Sequence, residues 1–374
     1  MANALEAQLR YPWGDTLPET GHAMEVAPGV RWLRMPLPFA LDHINLWLLR
    51  DEAEDGSPGW AVVDCGLDIP EAREAWTRLF AHGLDGLPIL RVIVTHMHPD
   101  HLGLAHWLCA QWGCRMWISA TDFYAAGQAC RSDPELMRAQ AEKLFSRHGL
   151  TDPQRLAAVR AHATGYAHLV PQLPDEYRRL LHGLTLRIGA HDWHCIVGHG
   201  HAPEHIALHC PALNLLISGD MLLPRISTNI SVYGHEPEAN PLPLFLQSIE
   251  RFRPLPADTL VLPSHGKPFT GAHQRIDQLQ AHHALQFDLL VAACSEAPRS
   301  AAELLPVLFK RTLDVHQTSF AMGEAIAHLH ALQEAGRLRA LPSDEDGVLR
   351  YVPVLPAAPA MPSPAGTEVL LASR

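Results

Sequence analysis

The chain has 374 residues, of which 47% are hydrophobic and 18% are charged, a composition that is ordinary for a globular protein. Its formal net charge of −11 disfavours nonspecific binding to nucleic acid or to anionic membranes. Seven cysteines without a C-x-x-C pair argue against a disulfide framework, and no window approaches the ~20 apolar residues of a membrane span.

The first third of the chain alternates between strands and turns. Apolar runs predict strands at 30–35, 44–49, 60–63, 91–94 and 116–118, and helical spacing predicts helices at 71–80 and 102–112. The strand at 60–63 ends at a carboxylate, Asp64, which is followed by Cys65 and Gly66.

The strand at 91–94 leads into the most informative motif, the H-x-H-x-D-H run within Thr95–His101. Alternate side chains of a strand point the same way, so His96 and His98 can face one point. A turn at Pro99 then lets the next two residues, Asp100 and His101, face a second point nearby. Clustered imidazoles and a carboxylate carry desolvation and charging penalties that a divalent cation removes, so the motif predicts a metal site.

Between residues 121 and 181 the pattern changes to helical segments at 134–148 and 152–162, with no clear strand. We interpret 121–181 as an inserted helical subdomain that covers the mouth of the active site. Strands return at 184–188, 193–197, 206–209, 215–217 and 259–262, and a helix is predicted at 241–252.

Four further patches combine a possible ligand with small residues at the end of an apolar strand. They are Asp64-Cys65-Gly66, Gly198–His205, Ser218-Gly219-Asp220 and Pro263–Lys267. Glycine lets the backbone approach a metal closely. Each patch is weak evidence alone, but together with the H-x-H-x-D-H run they support one another.

A second unit is predicted from about residue 272. It contains a long helix at 272–294, a capping box at Ser300–Glu303, a helix at 318–335 and a hairpin at 338–352. Three helices and a hairpin are typical of a winged helix, and the Pro- and Ala-rich tail at 353–374 is expected to be disordered. Histidines 282, 283, 328 and 330 are expected on the surface of these helices.

The five patches resemble the motifs of the metallo-β-lactamase fold hydrolases, and the C-terminal unit resembles the winged-helix domain found in one branch of them. The resemblance implies a four-layer αβ/βα sandwich over residues 1–271, with the helical insert at 121–181, followed by a winged-helix domain at 272–352.

The resemblance also implies a set of metal ligands. His96, His98 and His201 would hold one metal, Asp100, His101 and His265 would hold the other, and Asp220 would bridge them. Asp64 would orient ligands by hydrogen bonds, and His205 would support them or be merely structural. His199 is the alternative to His201. Asp220 stands where true β-lactamases commonly carry a cysteine, so antibiotic hydrolysis is not the expected main activity.

The expected cofactors are two divalent ions, Zn²⁺ first, with Fe or Mn also compatible with these ligands. The expected function is hydrolysis of an ester, thioester or lactone of a small molecule by a metal-bridging hydroxide, with Asp100 orienting the hydroxide and transferring a proton. A phosphodiesterase or endoribonuclease of the same fold is the main alternative. An iron-dependent persulfide oxygenase and a nucleic-acid binder are weaker ones.

The charge of the C-terminal unit bears on its partners. Residues 281–350 contain six basic and nine acidic residues, whereas a domain that reads duplexes needs a basic face. We therefore expect the unit to pack on the catalytic domain or on a second subunit of a homodimer, and nucleic acid is not an expected partner. The first 30 residues lack a basic stretch before an apolar core, so a cytoplasmic protein without a signal peptide is expected.

Overall fold

The computed structural model describes residues 3–162, 165–342 and 345–354. Its first sheet has seven strands that lie side by side in chain order. These are β1 (Met24–Ala27), β2 (Val30–Pro36), β3 (His43–Glu52), β4 (Pro58–Val63), β5 (Ile89–Ile93), β6 (Arg115–Ser119) and β7 (Tyr177–Leu180). Strands β1 to β4 pair antiparallel and β4 to β7 pair parallel, so the carboxyl ends of β4, β5 and β6 meet at one edge.

Helices flank this sheet and form the region before its last strand. They are α1 (Pro70–His82), α2 (Pro99–Leu102), α3 (Ala105–Trp112), α4 (Ala120–Arg131), α5 (Pro134–Arg147), α6 (Pro153–His162) and α7 (Tyr166–Leu169). The expectation of no strand between 121 and 181 was wrong, because β7 pairs with β6 at its Tyr177–Leu180 segment. The exposed residues Arg178 and Arg179 interrupt the apolar pattern there, which hid this short edge strand.

The second sheet has five strands in the order β12-β11-β10-β9-β8. These are β8 (Thr185–Ile188), β9 (His191–Gly198), β10 (His205–Cys210), β11 (Leu215–Gly219) and β12 (Leu260–Pro263), and α8 (Pro241–Ile249) precedes the last of them. Strands β11 and β12 are parallel, so their carboxyl ends also meet at one edge.

The two sheets pack face to face through an apolar core that includes Trp32, Trp47 and Trp193, all at most 1% exposed. A second core joins the outer face of the first sheet to α1, α3 and α4, with Trp76 buried in it. A third core joins the outer face of the second sheet to α8 and to the C-terminal helices, with Phe245 at its centre. The result is the four-layer helix–sheet–sheet–helix arrangement that the family resemblance implied.

The C-terminal unit consists of α9 (Ala272–Glu296), α10 (Ala301–Leu308), α11 (Val315–Glu334) and an antiparallel pair, β13 (Leu338–Ala340) with β14 (Tyr351–Pro353). The predicted capping box is present, because Ser300 and Glu303 exchange hydrogen bonds at the start of α10. The hairpin predicted at 338–352 is present, and its second strand ends one residue beyond the predicted range. The winged-helix classification stays a prediction, and the predicted tail lies outside the described residues from 355 onward.

The C-terminal helices bury polar side chains that the sequence analysis placed on the surface. His283 and His328 are each 1% exposed, and His283 donates from Nδ1 to Nε2 of His328 at 3.1 Å. That expectation was wrong for these two residues, because α9 and α11 pack on each other and α11 also packs on α8. Among the residues described, we find no helix that combines the length and the apolar character needed to cross a membrane.

Candidate metal centre

The H-x-H-x-D-H motif follows β5 and is fixed by Asp64, the residue after β4. One oxygen of Asp64 accepts from the backbone N–H of Thr95 at 2.7 Å, and the other accepts from the Thr95 hydroxyl at 3.0 Å and from Nδ1 of His101 at 2.8 Å. The Thr95 hydroxyl also lies 3.0 Å from Nδ1 of His96. Both imidazoles are thereby turned so that Nε2 points into the site.

A short helix orients the second half of the motif. His98 lies just before α2, and Pro99 occupies its first position, where a missing N–H is harmless. Asp100 and His101 follow in the first turn of α2. His96 and His98 belong to one group of possible metal ligands, and Asp100 and His101 belong to another.

The second sheet supplies the remaining candidate ligands. His201 follows β9, and its Nδ1 donates to the carbonyl of Asn229 at 2.8 Å. Asp220 follows β11, and its backbone N–H donates to Nε2 of His205 at 3.1 Å. His265 follows β12, and its Nδ1 donates to the carbonyl of His43 at 2.8 Å.

Two glycines in these loops are required by close packing. Gly200 has a φ of +100°, and a Cβ there would collide with the backbone of α8. Gly219 has a φ of +54°, and a Cβ there would collide with the imidazole of His205. The small residues that flank the ligands thus let loops from both sheets approach one point.

The candidate ligands meet in two groups that share one carboxylate. Nε2 of His96 lies 2.9 Å from Nδ1 of His98 and 3.2 Å from Nε2 of His201. On the other side, one oxygen of Asp100 lies 3.3 Å from Nε2 of His265 and 3.6 Å from Nε2 of His101.

Asp220 lies between the two groups. Its Oδ2 is 3.3 Å from Nε2 of His201, and its Oδ1 is 3.5 Å from Nε2 of both His101 and His265. Each oxygen therefore faces a different group, which is the arrangement that a bridging carboxylate needs.

Electrostatics separates His96 and His98 from His101 and His265. Burial lowers the pKa of His96 well below its usual value and that of His98 to about 3, so both imidazoles are neutral and present lone pairs. At His265 burial lowers the pKa, but Asp220 and Asp100 outweigh that effect and raise the pKa to about 10. The pKa of His101 is raised for the same reason, with Asp100 the largest contributor.

The residues fit divalent cations. Nε2 of His101 and Oδ1 of Asp220 are buried and have no hydrogen-bond partner within the described ranges, although both point into the centre. One possible ligand atom from each of His96, His98 and His201 lies within 4.8 Å of the other two, and the same holds for Asp100, His101 and His265. A set of imidazole and carboxylate ligands without thiolate suits Zn²⁺ and also Fe or Mn.

The structure also shows where His199 and His205, two histidines with undecided roles, lie relative to the centre. His199 donates from Nδ1 to the carbonyl of Pro203 at 2.7 Å and is in neither group, so the geometry favours His201 over it. His205 is fully buried against the site, stacked on His96 at 4.8 Å. Its hydrogen bond to the amide of Asp220 supports a ligand.

Asp122 of α4 is a supporting residue that the sequence analysis missed. One of its oxygens accepts from the backbone N–H of Met97, between two ligands, at 2.8 Å, and the other accepts from that of Glu204 at 2.6 Å. Burial raises its pKa to about 6, against the opposing effect of those amides. Asp122 thus ties the loop after β5 to the loop after β9. An aspartate in the first turn of a helix is too common to indicate such a supporting role from sequence.

Replacing Asp122 with alanine is expected to destabilise the fold by about 2 kcal/mol, because two part-buried backbone amides lose their acceptor. Metal content should fall as well, since both tied loops carry ligands. Urea unfolding and elemental analysis measure the two effects. Asp258→Ala, which removes an exposed aspartate, is the control. Unchanged stability and metal content in Asp122→Ala would show that the tie is dispensable.

Comparison with known proteins agrees with this architecture. Residues 41–265 match the family model "Metallo-beta-lactamase superfamily", and residues 287–354 match "Metallo-beta-lactamase-like, C-terminal domain". The chain is 53% identical to a β-lactamase domain protein from Burkholderia ambifaria, with a TM-score of 0.87 and coverage of 94% of this chain and all of that one.

Two further relatives are more distant. A metallo-β-lactamase family protein from Thermus thermophilus is 27% identical, with a TM-score of 0.73 over 88% of this chain and 100% of that one. The probable metallo-hydrolase YqjP of Bacillus subtilis (strain 168) is 23% identical over 314 residues, which cover 80% of this chain and 91% of that protein. The chain belongs to the metallo-β-lactamase superfamily.

Proposed function

We propose that this chain, a metallo-hydrolase of the superfamily, uses two divalent cations, Zn²⁺ by preference, to hydrolyse an ester, thioester or lactone bond of a small molecule. The observation that carries the proposal is the position of Asp220, whose two oxygens face two separate groups of ligands. Bound cations would supply Lewis acidity and lower the pKa of coordinated water toward ~7.

Asp100 is the residue we assign to proton transfer. The nearby His101 and His265 hold the pKa of Asp100 at about 2 despite its burial, so it is a carboxylate at neutral pH. The side chain of Asp100 is 20% exposed, whereas that of His101 beside it is fully buried. Asp100 therefore lies on the open side of the centre, where it can accept a proton from attacking water and return it to the leaving group.

The surroundings of the centre favour a small substrate. Tyr166 of α7 donates its hydroxyl to the carbonyl of Met97 at 2.6 Å, which anchors the helical segment beside the ligands. Helix α6 of the same segment packs on α11 of the C-terminal unit. Lys267, a residue with the charge to hold an anionic substrate, is instead paired with Asp15 at 2.7 Å. These contacts and the acidic C-terminal unit argue against an open groove for nucleic acid.

The test is metal analysis of the purified protein, paired with a panel of ester, thioester, lactone and phosphodiester substrates. We expect about two metal ions per chain and turnover of a carbonyl substrate. His98→Ala should abolish the turnover, because His98 is one of three ligands on its side. His199→Ala, a histidine of the neighbouring loop outside both groups, is the matched control. Cleavage of RNA or a phosphodiester without carbonyl turnover would favour the alternative function, and a metal-independent activity would contradict both.

A further inference from the structure

The loop after β11 contacts two of the candidate ligands. The hydroxyl of Thr228 donates to the backbone carbonyl of Asp220 at 2.5 Å. The next residue, Asn229, offers its backbone carbonyl to Nδ1 of His201 at 2.8 Å. This hydrogen bond fixes which nitrogen of His201 carries the proton and which faces the metal. The position of the Asn229 carbonyl thus sets the orientation of one ligand.

The same loop is held from its other side by α11. The backbone N–H of Val232 donates to the carbonyl of Gly323 at 3.2 Å. A Cβ on Gly323 would lie 2.7 Å from the hydroxyl oxygen of Ser231 and 2.8 Å from its Cβ, so the helix touches the loop where only glycine fits. Ser231 in turn donates its hydroxyl to the side-chain oxygen of Asn229 at 2.7 Å.

Glu324, the next residue of α11, lies beside Asn229. Burial raises the pKa of the Glu324 carboxyl to about 7, and the Asn229 side chain opposes that rise. The side-chain oxygen of Asn229 is held by Ser231, which lies against Gly323. A side chain held in this way leaves its own backbone carbonyl little freedom to move.

Helix α9 contacts both sides of this region: it reaches Glu324 through His328, and it also binds the loop that contains Asn229. The backbone carbonyl of Glu324 accepts from Nδ1 of His328 at 2.8 Å, and His328 accepts from His283 of α9. The buried guanidinium of Arg275, also on α9, donates to the carbonyls of Leu223 and Ile226 at 2.6 and 2.9 Å, earlier in the same loop. The C-terminal helices therefore hold the loop along its length.

We infer that the C-terminal unit is a working part of the metal centre, in which Gly323 and Glu324 are positioning residues that orient His201 through Asn229. The affinity of the site formed by His96, His98 and His201 then depends on a helix that contributes no ligand. The inference rests on the metal centre of the proposed function and is independent of the substrate.

The test compares three variants of the full chain: Glu324→Ala, Glu324→Gln and, as the matched control, Glu334→Ala. Glu334 is an exposed glutamate on the same helix. Zinc affinities are measured by competition with a chelator, and ligand geometry is read from the visible absorption of the Co²⁺-loaded protein. Circular dichroism of the metal-free protein checks the fold.

Glu324→Ala is expected to weaken one of the two sites by about 10- to 100-fold, as loss of a residue that supports a ligand does, and to alter the Co²⁺ spectrum. Glu324→Gln keeps an acceptor for Asn229 and should resemble the unmodified protein, as should Glu334→Ala. Equal affinities and spectra in Glu324→Ala and Glu334→Ala would overturn the inference.

Gly323→Ala disturbs the same contact between α11 and the loop at Ser231. It remains a test if Glu324→Ala fails to fold. Alanine favours a helix more than glycine does, so any loss of metal cannot come from a weakened α11. We expect the same site to lose affinity, because the added methyl group displaces Ser231 and Asn229. An unchanged site would contradict the inference. Absence of metal from the unmodified protein would instead contradict the proposed function.

Discussion

Asp220→Ala is expected to empty both metal sites and abolish turnover while the fold persists. Asp220 directs its oxygens to both groups, at 3.3 Å from His201 and 3.5 Å from His101 and His265. Its removal would take a charged ligand from each proposed cation, and we expect metal content to fall from about two ions to near zero after dialysis. Elemental analysis and circular dichroism measure the two outcomes.

The fold should survive because the sheets meet in an apolar core that does not involve Asp220. In the metal-free protein the substitution also leaves His101 and His265 buried with fewer carboxylates to stabilise their charge, so a moderate loss of stability is expected. Asp192→Ala, an exposed aspartate on β9, is the control and should retain both ions. Retention of two ions by Asp220→Ala would mean that the carboxylate is not a bridging ligand.

Metal binding is expected to release protons, so affinity should rise steeply with pH. Asp220 and Asp100 raise the pKa of His265 to about 10, and Asp100 and Asp64 raise that of His101. Both imidazoles are therefore protonated in the metal-free protein at neutral pH and must lose a proton to coordinate. Each displaced proton makes the apparent affinity rise by about tenfold per pH unit. Calorimetric titration with zinc in buffers of different ionisation enthalpy counts the protons released.

The stability of the metal-free protein should change in the opposite direction. A histidine whose folded pKa exceeds its unfolded value stabilises the fold fully below the unfolded pKa, and loses that contribution as pH rises through the folded one. For His265 this window extends from 6.5 to about 10. Urea unfolding of chelator-treated protein should show falling stability across it, and His265→Ala should flatten the dependence. If the heat of zinc binding were the same in every buffer, no net proton would be released, and the expected rise of metal affinity with pH would be wrong.

The ligands could be predicted from sequence because each follows a recognisable strand. A buried apolar strand has a strong pattern, so the positions of His96, Asp220 and His265 at strand ends follow from local signals, whereas their assignment as ligands was implied by the family resemblance. Within Gly198–His205 the pattern alone left two candidates, whereas in the structure His201 lies against His96 and His199 faces the carbonyl of Pro203. The site assignment itself stays a prediction until metal is measured.

The residues that hold the ligands could not be predicted in the same way. Asp122 and Asn229 act through long-range hydrogen bonds to the backbone, and a backbone partner leaves no trace in the side-chain pattern. Glu324 and His328 lie on a helix whose apolar stripe is broad, and His328 was expected on its surface. Their burial depends on two helices packing on each other, which periodicity within one helix does not reveal.

The ligands come from both halves of the sandwich, and this has a consequence for how the holoprotein is made. His96 and His201 touch although 105 positions separate them, and His43 contacts His265 across 222. Such distant segments meet only after both sheets have joined, so we expect cations to be captured by an already folded chain and to act as cross-links between its halves. Loading and exchange of metal should then proceed in the mature protein, without synthesis of new chains or global unfolding.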